Sequence, residues 1–315
     1  MAGAVYEANV QNTVKAPVTF EGVGLHSGAA TRMVLRPAEA GFGIRFRRTD
    51  IKLGDSMIPA RWYLVDRSPL CTRLRNDAGA TVSTVEHVMA ALAGCGVNNV
   101  LIDIDGPEVP ILDGSSAPFV RGIMAQGVRT QAAPVIALQI LKPVAVEKDG
   151  ARAALLPSDS FEIEFHIDFA DSAIGRQSKV LDMRNGAFAR ELCDSRTFCR
   201  QADVDAMHEH GLALGGTLDN AVVVDGDSVL SPGGFRHADE AVRHKMLDAL
   251  GDLALAGGPI LGRYVGERAG HSLTNTLLRA VFATPGAFRF VTCNAEKAGR
   301  LPGQGLTWWE IPQVA

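Results

Sequence analysis

One segment of this 315-residue chain sets histidine and short carboxylates at helical spacing. His244, Asp248 and Asp252 recur every fourth residue within Ala238 to Leu255. Val242, Met246, Ala249, Leu250 and Leu253 share the other face of the same predicted helix at about 100° per residue. Two ligand-type side chains one turn apart can point at a single cation, as in HExxH metal sites. A solvated helix face gives the same pattern, although such faces more often carry Lys and Glu. Glu86-His87 is a second candidate pair. Ser83-Thr84-Val85-Glu86 reads as a capping box with Ser83 as N-cap, which would account for Glu86 without chemistry. It leaves unexplained a histidine on an otherwise apolar helix, where the alternative is a hydrogen-bonded core residue. His271 stands at a predicted helix start, where a capping or turn role is the alternative. The other histidines are set aside: His166 on the polar face of a strand, His208 and His210 in a polar stretch, and His26 in a strand turn. His237, seven residues before His244, is the best decoy.

These residues need elements to position them. Thr84 to Cys95 is apolar on nearly every side and reads as a buried helix ended by Gly94 and Gly96. Short strands precede it (Val18 to Gly24, Thr31 to Leu35, Gly43 to Arg47), and a strand and a helix follow (Asn99 to Ile104, Ala117 to Gln126). The pattern restarts near Gln131 to Pro134. Strands then run over Val135 to Val146, Arg152 to Leu156 and Phe161 to Phe169, the last in clean alternation. A strand (Ile260 to Arg268), a helix (His271 to Phe282) and a last strand (Phe288 to Thr292) close the chain. His87-Val-Met-Ala-Ala-Leu-Ala-Gly94 and His244-Lys-Met-Leu-Asp-Ala-Leu-Gly251 align at His, Met and Gly. With the shared element order, this predicts a duplicated α+β protein: two layered domains, residues 1–131 and 132–315, with irregular inserts at about 48–76 and 197–227.

Composition excludes several classes. At 47% hydrophobic and 21% charged, the chain can bury a large core and is not disordered. A net charge of −4 without a basic run argues against nucleic-acid binding. The five cysteines form no CxxC pair, so neither a disulfide framework nor a thiolate zinc cluster is expected, and a reducing compartment fits. There is no Walker or GxGxxG loop and no GxSxG elbow. No apolar stretch is long enough to span a membrane, and Met1 to Lys15 has no apolar run behind a basic start. A cytoplasmic monomer is the expectation.

Three stretches resemble the UDP-3-O-acyl-N-acetylglucosamine deacetylases, the zinc amidases of lipid A synthesis in Gram-negative bacteria. They are Gly22-Val-Gly-Leu-His-Ser-Gly28; Ser83-Thr-Val-Glu-His-Val-Met-Ala-Ala-Leu-Ala-Gly94 with Pro110-Ile-Leu-Asp-Gly-Ser-Ser-Ala-Pro118; and Val242-Arg-His-Lys-Met-Leu-Asp-Ala-Leu-Gly-Asp252 followed by Gly270-His271. The match runs in order from about residue 12 to 285. Residues 1–11 and the tail holding Trp308 and Trp309 look like extensions. The resemblance implies two similar α+β domains whose helices meet in the middle, the second insert forming an apolar passage for the substrate's acyl chain. It implies His87, His244 and Asp248 as ligands of one zinc, a set that also suits ferrous iron, with a fourth position open to water. Glu86 matches the general base and His271 the group that protonates the departing amine. Asp252 would orient His271, and Thr197 would stabilise the oxyanion. Lys245 and Phe198 match substrate-contacting positions. Cys71 matches a position near the acyl and metal region and is not a ligand. The implied substrate is an acylated UDP-amino-sugar, met from the aqueous side, with transient membrane association.

Overall fold

Alternating burial makes the strands of the first half, as in Val18–Val23, where Val18 and Phe20 face inward and Thr19 and Glu21 outward. A computed structural model describes residues 9–66, 68, 70–307, 309 and 311–312. The N-terminal residues 1–8 and Trp308, read above as extensions, lie outside the described residues; Trp309 is exposed. Val18–Val23, Ala30–Pro37, Val100–Ile104, Ile44–Arg48 and Met57–Pro59 form one five-stranded sheet in that spatial order. A second, seven-stranded sheet follows the path Val144–Lys148, Ala151–Leu156, Ile260–Glu267, Ile136–Ile140, Phe288–Thr292. Phe161–Asp168 joins it along Ile260–Glu267, with Arg176–Asp182 beyond. The fold class is α+β.

The helices are α1 (Glu86–Gly94), α2 (Ala117–Gln126), α3 (Ala187–Glu191), α4 (Gln201–Glu209), α5 (Glu240–Ala254), α6 (His271–Ala283) and α7 (Ala295–Ala298). None of the helices among the described residues is long and apolar enough to cross a membrane. α1 packs along α5, and α6 packs on α5 and the seven-stranded sheet. Val88, Met89, Ala90, Ala91 and Leu92 are all fully buried, as an all-round apolar helix requires. Gly251 permits the close contact between the two helices, because a Cβ there would lie 2.0 Å from the Glu86 carbonyl oxygen.

Two alternatives weighed above and one expectation give way. The α5 stripe is not solvated: His244, Asp248 and Asp252 are 3–5% exposed, covered by α1 and α6. The capping box does not form. α1 begins at Glu86 with no side-chain cap, Ser83 bridges Glu108 in strand fashion, and Thr84 takes a positive φ of 57° and bonds Glu108 instead. The stretches read as irregular also hold regular structure. Residues 48–76 supply an edge strand, Met57–Pro59, and part of a small three-stranded sheet. Residues 197–227 supply Phe198–Arg200, α4 and Val222–Asp225.

Candidate metal centre

α1 and α5 bring three side chains to one point. One ligand atom from each of His87, His244 and Asp248 lies within 4.8 Å of the others. Asp248 Oδ1 is 3.3 Å from His244 Nε2 and 3.7 Å from His87 Nε2. Although buried, that oxygen accepts no hydrogen bond among the described residues. An unpartnered buried carboxylate oxygen is costly, and a cation held between the imidazoles would satisfy it. The ring nitrogens are suitably arranged. His244 Nδ1 lies 3.0 Å from the Ser195 carbonyl, which fixes the hydrogen on Nδ1 and leaves the Nε2 lone pair facing the site. Burial first, and then the neighbouring His244, push His87 down to about 3, so it is neutral, as a ligand must be. Burial opposes the charge on Asp248, but His244 and Lys245 outweigh it and hold the carboxyl well below its usual range. Two imidazoles and a carboxylate fit zinc or ferrous iron.

An acid–base pair stands beside this trio. His271, the first residue of α6, places Nδ1 2.8 Å from Asp252 Oδ2. Its Nε2 is 3.8 Å from Glu86 Oε1 and 3.9 Å from Asp248 Oδ2. Burial disfavours the imidazolium, but Asp252, Glu86 and Asp248 together raise it to about 10. Glu86 moves up from its ordinary value as well, driven by burial and only partly opposed by His271. Two titratable groups shifted in this way by burial and charge, and touching, are a functional-site signature. Thr72 joins them, since its N–H donates to Glu86 Oε2 at 3.0 Å and its hydroxyl donates to Asp252 Oδ1.

Comparison with known proteins carries the assignment further. The family model for UDP-3-O-acyl N-acetylglycosamine deacetylase matches residues 11–283. The chain belongs to this family. It is 50% identical over 282 residues to the UDP-3-O-acyl-N-acetylglucosamine deacetylase of Phenylobacterium zucineum, covering 90% of this chain and 96% of that protein. It is 45% identical over 296 residues to the enzyme of the same name from Myxococcus xanthus (94% and 93% covered), and 43% identical over 288 to that from Shewanella frigidimarina (91% and 94%). Family membership makes the chain a deacetylase, a hydrolase of amide C–N bonds.

Of the remaining residues singled out by resemblance to the deacetylases, Lys245 and Phe198 lie against the trio. Lys245 Nζ bonds Asp248 Oδ2 at 2.8 Å; burial works against its charge, but Asp248 outweighs burial and raises its pKa. The Phe198 ring is 6.2 Å from the His244 ring, edge to face. Thr197 lies two residues beyond Ser195, its N–H donating to the Gly114 carbonyl. This segment is pinned by Arg196, whose side chain and N–H both bond Glu240 in the first turn of α5. Cys71 is buried and lines a cavity of about 380 Å³ with His26, Ser27, Glu108, Gly211 and Leu212. The decoy His237 is occupied by Asp194 at 3.0 Å. Sequence reasoning missed Thr72, whose partners lie 14 and 180 positions away. His26 lies in the strand turn expected of it. Both ring nitrogens of His26 are buried without a partner among the described residues, on the wall of that cavity. The only signal was its place in the Gly22 to Gly28 motif.

Proposed function

We propose that this chain removes the acetyl group from UDP-3-O-acyl-N-acetylglucosamine, in lipid A synthesis. The observation that carries the reading is the buried His87–His244–Asp248 trio with an orphaned carboxylate oxygen, flanked by Glu86 and the Asp252–His271 pair. His87, His244 and Asp248 would hold zinc, with ferrous iron the alternative. The metal, when bound, supplies a lowered pKa for water and a polarised carbonyl. Glu86 takes the proton of the attacking water; burial raises its basicity toward the working pH. His271, kept protonated by Asp252, gives a proton to the leaving amine. The Thr197 hydroxyl stabilises the oxyanion. Lys245 and Phe198 contact the sugar nucleotide.

The 197–227 segment docks on the Gly22 to Gly28 motif, Leu214 and Gly215 donating to the His26 and Leu25 carbonyls. This placement, with Gly211 and Leu212 on the cavity wall beside Cys71 and His26, supports its role as the acyl passage. The same reading divides the chain into duplicated units, 1–131 and 132–315. In support, one sheet draws only on strands between residues 18 and 104 and the other only on strands between 136 and 292. A UDP-sugar substrate implies a cytoplasmic enzyme of a Gram-negative bacterium.

The test is elemental analysis of the purified chain, paired with deacetylation of UDP-3-O-acyl-N-acetylglucosamine before and after chelation. One metal per chain, with activity lost on chelation and restored by zinc or ferrous iron, is the expected result. Bound metal without activity on this substrate moves the search to other N-acetylated sugars. Full activity in metal-free protein would sink the reading.

A further inference from the structure

A larger cavity, about 680 Å³, is lined by none of the residues of the proposed metal and acid–base site. Both halves of the chain line it: Ala93 and Val97 at the end of α1, Leu253 and Ala254 at the end of α5, and Val135 and Ile260 from the seven-stranded sheet region. Its size is that of a small-molecule site, and its walls are mainly apolar, with the amides of Gln11, Asn12, Asn98, Asn99 and Gln304 among them. Trp62, stacked on Phe282 with ring centroids 4.7 Å apart, forms a flat wall.

The cavity also holds a cation without a counter-charge. Arg61 is half-buried in its wall, with its guanidinium threaded between Gly43 and Gly257. A Cβ on Gly257 would sit 2.1 Å from Arg61 Nη1, and one on Gly43 3.3 Å from Nη2, so both glycines leave room for this side chain. Among the described residues, no carboxylate or carbonyl accepts from this guanidinium. The charges and phenol that act on it are burial's penalty, which lowers its pKa, then Tyr63, then the like charge of Arg45. Guanidinium ions in such settings are normally matched by a planar anion.

We propose that this cavity binds a single-chain aliphatic carboxylate, its head group paired with Arg61 and its chain lying along Val97, Val135, Leu253 and Ile260. A nucleotide or sugar phosphate fits poorly, because Arg61 is, among the described residues, the one cationic side chain in the lining and would leave a dianion half matched. Acetate is too small to fill the space. The site is separate from the proposed acyl passage beside Cys71 and His26, and does not depend on it.

Octanoate and octanol are titrated calorimetrically into the full chain, as wild type, Arg61→Gln and Arg61→Lys. A diazirine-bearing octanoate then maps the site by mass spectrometry. Octanoate is expected to bind the wild type and to weaken at least about tenfold in Arg61→Gln, the loss of a charge-assisted pair. Arg61→Lys retains most of the affinity, and octanol is indifferent to both changes. The label falls on peptides spanning residues 61–64 or 250–260. Basal deacetylation is unchanged in both variants, and if Arg61→Gln fails to fold, the octanoate-to-octanol preference of wild type and Arg61→Lys decides. Absence of octanoate binding, equal affinity in Arg61→Gln, no preference over octanol, or label confined to residues 198–230 overturns the proposal.

Discussion

Replacing Asp252 by Asn isolates what charge contributes to His271. Asp252 Oδ2 is 2.8 Å from His271 Nδ1, and their side chains are only 4% and 14% exposed. Asn keeps the size and an acceptor and removes the charge. Two unit charges whose centres are about 4 Å apart interact by about 4 kcal/mol at an effective permittivity near 20, or about 3 pH units at 1.36 kcal/mol each. Glu86 and Asp248, at 3.8 and 3.9 Å from Nε2, remain and sustain part of the elevation. Because the Asn oxygen still accepts from Nδ1–H and returns part of the roughly 3 units lost, the expected fall in the His271 pKa is about 2 units. A general acid acts while protonated, so its contribution is full below its pKa and is lost as pH rises through it. Lowering that pKa moves the basic limb of the rate profile to lower pH. The assay is kcat and kcat/KM from about pH 6 to 10 for both proteins, with metal content measured in parallel. A basic limb about 2 units lower with metal retained is the expected outcome. If metal is retained and the limb moves by less than about half a unit, the Asp252 charge does not control the proton that matters, and the assignment of His271 as acid falls.

Four other substitutions probe separate parts of the site. Glu86→Gln should leave metal content unchanged and lower kcat by about 10²- to 10⁴-fold, read by steady-state kinetics and elemental analysis. Gly251→Ala puts a methyl 2.0 Å from the Glu86 carbonyl oxygen, so α1 must shift; a loss of about 1–3 kcal/mol in denaturant unfolding, together with lower kcat, is expected. Glu240→Gln strands Arg196 in an ion pair whose side chains are 7% and 1% exposed, at a cost of about 3–5 kcal/mol. It should also speed metal loss to a chelator, because the Ser195 carbonyl that orients His244 lies next to Arg196. Ala213→Asp, in the proposed acyl passage, should lower kcat/KM for long-acyl substrates more than for short ones, and an equal loss for both would count against that passage.

What could be read from the sequence depended on how local the cause was. α1, α5 and α6 follow from apolar spacing over a few turns, and their bounds fall within two residues of those expected. The His244–Asp248 spacing was equally visible, but its environment was not. A polar stripe on a helix reads as solvated until a second helix covers it, and α1 ends about 150 positions earlier. The capping reading of Glu86 failed for a related reason. Its local setting fits a cap, yet Thr84 at positive φ turns the chain and Glu86 faces Thr72 and His271. Thr72 and His26 belong to loops, where residue type alone carries no periodic signal and function comes from contacts distant in sequence.

The burial of this site has an electrostatic consequence that ties the metal to the chemistry. Glu86, Asp248 and Asp252 place three carboxyl groups together, with Lys245 and His271 ion-paired to them. With every group charged, the cluster sums to one negative charge, an unfavourable host for an anionic sugar nucleotide and for the oxyanion that amide hydrolysis must form. A divalent cation held by His87, His244 and Asp248 reverses that sign while leaving Glu86 and His271 free to exchange protons. On the proposed mechanism, the carboxylates that lift His271 to about 10 are thus a reason for a cation, and the unpartnered Oδ1 of Asp248 is where it would bind. On this argument, metal-free protein should bind the UDP-sugar more weakly than the loaded enzyme, and Asp252→Asn should narrow that difference, measured by equilibrium binding at neutral pH. Equal affinity of the two wild-type forms would separate metal binding from substrate recognition and undo the electrostatic link.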